Sequence, residues 1–238
     1  MKQIMKTYTY NKELARLATL FNDTNLRPRL GNPVITIPNI LPTQVTRETY
    51  FNVHKARIAG ESSRATVYTS DGSAGVVLDT NRRTDIFNSN LIPNSSQHCD
   101  YLNDLISKSA SVAWGIKPII PCSTWWLAGY GVGDKFTAHC DGAIQLADGQ
   151  YKTVEQRLIS AILYVNTKDA ALQGWGYTGG ELKFTGILDE DGVPLTINPR
   201  EGDLVIFPSS YVYTHEVPLI TSGYRVAATN FFKLANGA

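Results

Sequence analysis

Cysteine is scarce in this chain: Cys99, Cys122 and Cys140 are the three, widely spaced and odd in number. A disulfide framework rests on paired cysteines in a short secreted chain, so this count excludes that class and points to reduced thiols in a reducing compartment. Long apolar runs are missing too. No segment approaches the roughly 18 consecutive apolar residues of a membrane span. The opening Met1-Lys2-Gln3-Ile4-Met5-Lys6 lacks the apolar stretch of about 7 to 15 residues that a secretory signal carries. Neither sign of charge is in excess: 22 Lys and Arg stand against 21 Asp and Glu, a net charge of +1. So even a balance, without long runs, offers no electrostatic footprint for nucleic acid or for an anionic membrane surface. These absences predict a cytoplasmic protein with neither nucleic-acid nor membrane partners.

What is present is an ordinary globular composition, with 43% of 238 residues hydrophobic, enough to bury a core. No repeat, low-complexity tract or linker divides the chain, which predicts a single domain over 1–238. Asn11 to Asn22 sets Leu14, Leu17, Ala18 and Phe21 on one helical stripe with Asn11 placed to cap it, predicting a helical N-terminal extension over 1–32. Pro33, Pro38 and Pro42 punctuate a short Val34-Ile35-Thr36-Ile37 strand before a weaker helical stretch from Thr43 to Ala56. Gly60 to Gly75, rich in Ser, Thr, Gly and Asp, predicts a mobile loop able to fold over a substrate. Tyr101, Leu102, Leu105 and Ile106 recur at helical spacing within Cys99 to Ala110, a second helix destined for a sheet. The pattern then changes. Ser123–Tyr130, Arg157–Asn166, Glu181–Thr185, Asp203–Pro208, His215–Ile220 and Tyr224–Lys233 are short runs rich in β-branched and aromatic residues between Gly, Pro, Asn and Asp, the pattern of a sandwich or barrel.

Histidine is also rare, and two of the four, His139 and His215, fall in this β-rich half. Side chains alternate along a strand, so His139 and Asp141 look one way and Cys140 the other, where it packs. Alone, a His-x-Asp pair is a weak signal. With His215 it can hold one metal by two imidazoles and a carboxylate while leaving positions open, the arrangement of non-haem Fe(II) oxygenases, although zinc suits the same donors. Arg225 follows the turn residues Thr221-Ser222-Gly223, and its rigid guanidinium fork suits bidentate recognition of a carboxylate.

The order of several segments is more specific than any one of them. Tyr130-x-x-Gly133-x-x-Phe136-x-x-His139-x-Asp141 is followed by Arg157-x-x-Ser160-Ala161-Ile162-Leu163-Tyr164-Val165-Asn166 and Gly179-Gly180-Glu181-Leu182. Gly202 to Pro208, His215-Glu216-Val217-Pro218 and Gly223-Tyr224-Arg225 complete the series. Together they resemble the prolyl 4-hydroxylase-like family of Fe(II)/2-oxoglutarate dioxygenases over about residues 34 to 233. One departure is Pro218, three residues after His215 where the family more often places its proline four after.

The resemblance implies a mainly β (α+β) protein with a double-stranded β-helix (jelly-roll or cupin-like) core and supporting N-terminal helices. The family's first strands and helices would occupy 33–120 and the catalytic core 121–235. His139, Asp141 and His215 would ligate Fe(II). Arg225, Tyr130 and Tyr164 would meet 2-oxoglutarate, with O2 as the other cosubstrate and ascorbate as an accessory reductant. The implied reaction hydroxylates a C–H bond, a peptidyl proline of a peptide or protein first among candidates, while 2-oxoglutarate is decarboxylated to succinate. A free amino acid or other small molecule is the alternative substrate, and a cupin-like metal-binding module without turnover is the alternative from another class. Arg82 and Arg83 match a segment at the pocket mouth, and Trp175 lies in a glycine-flanked loop; all three are candidate substrate contacts. Against this stand the ordinary readings of solvated arginines and a core aromatic.

Overall fold

The computed structural model describes residues 8–10, 34–66, 82–116, 119–145, 151–153, 156–169 and 174–235. The helix expected over Asn11 to Asn22 and the 67–75 part of the expected covering loop lie outside them. Two antiparallel sheets carry the fold. The larger runs, edge to edge, through Ile35–Ile37, Leu204–Pro208, Ile159–Tyr164, Arg225–Leu234, Trp126–Tyr130, Asp85–Asn88 and Ser63–Arg64, with Ile119–Pro121 also on Arg225–Leu234. The smaller runs through Tyr8–Tyr10, Leu182–Asp189, His215–Val217, Lys135–His139 and Arg82–Arg83, with Pro194–Ile197 also on Leu182–Asp189.

Alternation along the central strands explains the layering, because Ile159–Tyr164 and Leu204–Pro208 are buried on both faces. Ala161, Leu163, Leu204, Val226 and Ala228 face outward and form one core with Val53, Leu102, Ile106 and Ala110 of two helices, Thr43–Ile58 and Ser95–Trp114. Ile162, Tyr164, Val205, Phe207 and Ala227 face inward and meet Leu182, Phe184 and Ile187 of the smaller sheet. The second helix stops where Gly115 takes the left-handed conformation (φ 71°) and its N–H donates to Ser111, the usual glycine stop. Leu102 is fully buried, so Leu102→Ala is expected to cost about 2 to 5 kcal/mol, read as a lower denaturant midpoint in urea unfolding.

The Thr43 to Ala56 and Cys99 to Ala110 helices and the six β-rich runs hold in kind, with shifted ends, whereas the stretch from Gly60, expected to be a strand-poor loop, holds an edge strand at Ser63–Arg64 paired with Asp85 and Ile86. The Glu181–Thr185 run extends to Asp189 through Gly186, where pairing with Pro194–Ile197 shifts register between Phe184 and Leu188; a bulge accommodates the glycine that reads as a strand end in sequence. Within the stretch expected as a helical extension, Tyr8–Tyr10 is a strand paired with Ile187–Asp189. Among the described residues no helix is long and apolar enough to cross a membrane.

Candidate metal centre and carboxylate pocket

Lys135–His139 and His215–Val217 are neighbouring antiparallel strands in which His215 stands opposite His139, so both rings rise from one face, their centroids 4.4 Å apart. Asp141 is not on the strand as its spacing suggests. The strand ends at His139, and the chain turns through Gly142, whose N–H donates to the Ser209 carbonyl at 2.9 Å. A Cβ at Gly142 would lie 2.9 Å from that oxygen and 3.0 Å from the Arg157 carbonyl, so the turn is tight against its neighbours. It still delivers the carboxylate: Asp141 Oδ1 is 3.5 Å from His139 Nε2 and Oδ2 is 3.8 Å from His215 Nε2. One donor atom from each residue lies within 4.8 Å of the others.

Backbone carbonyls fix the imidazoles. His139 Nδ1 donates to Thr137 O at 2.8 Å and His215 Nδ1 to Tyr213 O at 2.9 Å. A carbonyl only accepts, so each Nδ1 carries a proton and each Nε2 is left facing the carboxylate, where it can serve as a metal donor. Burial pulls the His215 imidazole down to about 4, against the opposing pull of Asp141, so it is neutral near pH 7. Burial also penalises the Asp141 carboxylate, but His215, His139 and Ser160 outweigh it and hold the group ionised well below the usual carboxylate range. Two such nitrogens and a carboxylate aimed at one point form a donor set that a divalent cation satisfies. Cys140 is no part of it: burial pushes its thiol up to about 12, Sγ donates to Ala143 O at 2.9 Å, and the side chain packs in the inter-sheet core.

Aromatic rings wall this centre. Phe136 stacks on His139 with centroids 3.5 Å apart and planes at 17°, and Phe207 meets His215 edge-on at 4.9 Å. Arg82 lies over the far side of this wall, its Cζ 4.5 Å from the Phe136 ring centroid and 5.4 Å from that of Trp126.

Arg225 is 2% exposed and stands opposite Tyr130 in the register of their strands. Tyr164 pairs with Ala227, two residues along, so it shares the inward face. The guanidinium carbon lies 4.9 Å from the Tyr130 ring centroid and 5.1 Å from that of Tyr164. Tyr177, fully buried, is a third phenol whose charge state is coupled to Arg225. Burial raises the Tyr164 and Tyr177 phenols above their ordinary range, with Arg225 pulling the other way, so both remain O–H donors at neutral pH. Arg225 Nε and the Tyr164 and Tyr177 hydroxyls lack a partner in full hydrogen-bond geometry, although both phenols lie within reach of the guanidinium. Among the described residues Arg225 has no ion pair with a carboxylate. An uncompensated buried charge costs several kcal/mol, and each orphaned donor adds about 1 to 3. A carboxylate has the acceptors that such donors would need. Room for the arginine comes from Gly180 (φ 61°), where a Cβ would press on Arg225 Cδ at 3.1 Å.

The two adjacent arginines part company because neighbours on a strand face opposite ways. Arg82 joins the aromatic wall, whereas Arg83 Nε pairs with Asp134 Oδ1 at 3.2 Å. Trp175 departs from the expectation of a substrate contact. Its ring lies 4.7 Å from Tyr50 and 6.3 Å from Phe51, with Arg47 Cζ at 5.7 Å, so it packs on the helix side of the larger sheet and not between the sheets with the triad. The Tyr50 ring gives the loop an apolar seat there. Sequence reasoning missed Tyr177, Ser160 and Ser209. Ser160 left a faint signal, as the one small polar residue in the otherwise apolar and aromatic Ile159–Tyr164 run; Tyr177 left none.

Two facing antiparallel sheets form a double-stranded β-helix, with the His139, Asp141 and His215 donor set between them. Residues 125–233, a little under half of the chain, match the sequence model of the 2OG-Fe(II) oxygenase superfamily. A PKHD-type hydroxylase of Rhizorhabdus wittichii is 32% identical and one of Burkholderia thailandensis 38% identical, each over 99 residues, 42% of this chain. The match spans only 38% of the length of each of these curated relatives. Among solved structures, a Pseudomonas putida prolyl-4-hydroxylase superposes with a TM-score of 0.60 at 21% identity, covering 91% of this chain and 98% of that one. A Trichoplax adhaerens prolyl hydroxylase, in complex with a hypoxia inducible factor oxygen degradation domain peptide fragment, gives 0.65 at 17% identity, covering 94% of both. These likenesses establish the shared fold.

Proposed function

We propose that the protein is an Fe(II)- and 2-oxoglutarate-dependent dioxygenase that hydroxylates a C–H bond, with a peptidyl proline as its substrate. The observation that carries this reading is the buried Arg225, ringed by donors that lack a partner in full hydrogen-bond geometry, in the same inter-sheet space as the His139, Asp141 and His215 donor set. A metal-binding module without turnover has no use for a carboxylate clamp. When bound, iron and 2-oxoglutarate supply the oxidising chemistry, in which O2 is consumed, 2-oxoglutarate becomes succinate and carbon dioxide, and the substrate gains a hydroxyl.

The chain's own part is to bind, orient and exclude water. His139, Asp141 and His215 would hold the metal and leave coordination positions for the cosubstrates. Arg225 receives the distal carboxylate of 2-oxoglutarate as a fork, and the Tyr164 and Tyr177 hydroxyls donate to it. Tyr130 flanks the arginine, while Phe136, Phe184 and Phe207 keep water off the imidazoles. Arg82, spread over Phe136 and Trp126 with a buried Nε that lacks a partner, offers donors to a substrate carbonyl; Arg83, held by Asp134, is the lesser candidate. The Trichoplax neighbour holds a peptide, which favours an extended peptide over a small molecule. None of Cys99, Cys122 and Cys140 is in a disulfide, in keeping with a reducing, cytoplasmic setting.

Tyr177→Phe removes one donor from the pocket. The expected result is a rise in KM for 2-oxoglutarate of about 5- to 10-fold, matching roughly 1 to 1.5 kcal/mol for one hydrogen bond, with metal affinity unchanged. The substrate class is tested with proline-containing peptides: succinate formation stimulated by a peptide supports peptidyl hydroxylation. Stimulation only by a free amino acid or another small molecule overturns it in favour of the small-molecule reading.

A further inference from the structure

The carboxylate of Asp141 has a partner that the proposed chemistry does not use. Ser160 Oγ lies 2.6 Å from Asp141 Oδ2, and Ser209 Oγ lies 2.7 Å from Ser160 Oγ. Both serines are buried, at 0% and 1% exposure. An ionised carboxylate only accepts, so the single Ser160 proton goes to Oδ2; the Ser160–Ser209 bond is then donated by Ser209. The direction of the chain, Ser209 to Ser160 to Asp141, follows from proton counting alone.

The backbone builds the same arrangement. Ser160 is on the inward face of Ile159–Tyr164, two residues before Ile162 of the inter-sheet core. Ser209 follows the end of Leu204–Pro208, with its N–H donating to Leu158 O and its carbonyl accepting from Gly142 N–H, both at 2.9 Å. Ser209 thus ties together the strand that bears Ser160 and the turn that presents Asp141. Arg157 Nη1 adds a longer contact to the Asp141 carbonyl at 3.4 Å.

We infer that Ser160 and Ser209 form a fixed hydroxyl relay that positions Asp141 as a metal ligand, engaging Oδ2 and leaving Oδ1 turned to the metal. The inference rests on the proposed metal centre. A carboxylate on a turn has more freedom than the two imidazoles, which strands and carbonyl hydrogen bonds hold. The relay removes that freedom and restricts a second oxygen from taking a coordination position that the cosubstrate needs. Ser160 and Ser209 are positioning residues: neither reaches the reacting atoms.

Co(II) titration of the metal-free full chain, followed by calorimetry and by the visible absorption of the bound ion, tests this without turnover. Ser160→Ala is expected to weaken Co(II) binding by about 10- to 100-fold and to change the absorption, which reports coordination number. Ser160→Thr keeps the hydroxyl and is expected to restore both. Ser209→Ala should shift both readouts in the same direction by less, and it carries the test should Ser160→Ala fail to fold. Serine-to-alanine proteins that bind Co(II) like the parent, with the same absorption, overturn the relay alone. A parent chain that binds no Co(II), or a His139→Ala chain that binds it as tightly as the parent, overturns the metal centre and the relay with it.

Discussion

Asp141→Ala protein is expected to lose succinate formation down to background while keeping its fold, and His139→Ala and His215→Ala are expected to do the same. The reason lies in the economy of the site. Three donors leave no redundancy, and among the described residues no other group of three or more His, Cys, Asp or Glu converges to hold a metal. Cys140, the nearest thiol in sequence, keeps its proton and bonds to Ala143, so it does not substitute. Folding should survive, because removing Asp141 also removes a carboxylate that burial penalises, and the surrounding core of Phe184, Phe207 and Tyr164 is left intact. Metal content per chain and far-ultraviolet circular dichroism, measured on the same preparations as succinate, separate lost chemistry from lost structure. Full turnover in metal-defined Asp141→Ala protein would remove it from the centre.

Arg225→Ala removes the guanidinium proposed to receive the cosubstrate. Truncating one partner of a buried, hydrogen-bonded charge pair costs about 2 to 5 kcal/mol, so a loss near 3 kcal/mol raises the 2-oxoglutarate concentration needed for half-maximal rate by roughly a hundredfold. Metal affinity is expected to stay as it was. Arg225→Lys should fall between, since an ammonium restores the charge but not the planar fork. An unchanged 2-oxoglutarate requirement in Arg225→Ala would take the arginine out of the cosubstrate pocket. The substitution also relieves the chain of an unpaired buried cation, so the variant is not expected to unfold more readily than the parent.

How much of this could be read from residues alone depended on whether the relation was local. His139 and His215 stood out because histidine is rare and both sit in β-rich runs; Arg225 and Tyr130 stood out through segment order. The large strands were legible from β-branched and aromatic content. Alternation alone places Asp141 on a strand and cannot show that the chain turns after His139, which the packing of Gly142 against Ser209 and Arg157 decides. The Ser160–Ser209 contact spans 49 residues of sequence and arises only when Ile159–Tyr164 pairs with Leu204–Pro208. Trp175 misled because flanking glycines mark a loop without saying on which side of the larger sheet it folds. Arg82 and Arg83 looked equivalent in sequence until strand pairing with Phe136 and Lys135 gave them opposite faces.

The central claim is that His139, Asp141 and His215 with Arg225 make a centre that couples 2-oxoglutarate to oxygen. Its most direct test is succinate formed by anaerobically purified, Fe(II)-loaded protein when oxygen is admitted in the presence of 2-oxoglutarate, ascorbate and proline-containing peptides. The expected result is succinate that depends on iron, oxygen and 2-oxoglutarate together and rises in step with hydroxylated peptide. No succinate under any of these conditions, with iron confirmed bound, would contradict the account.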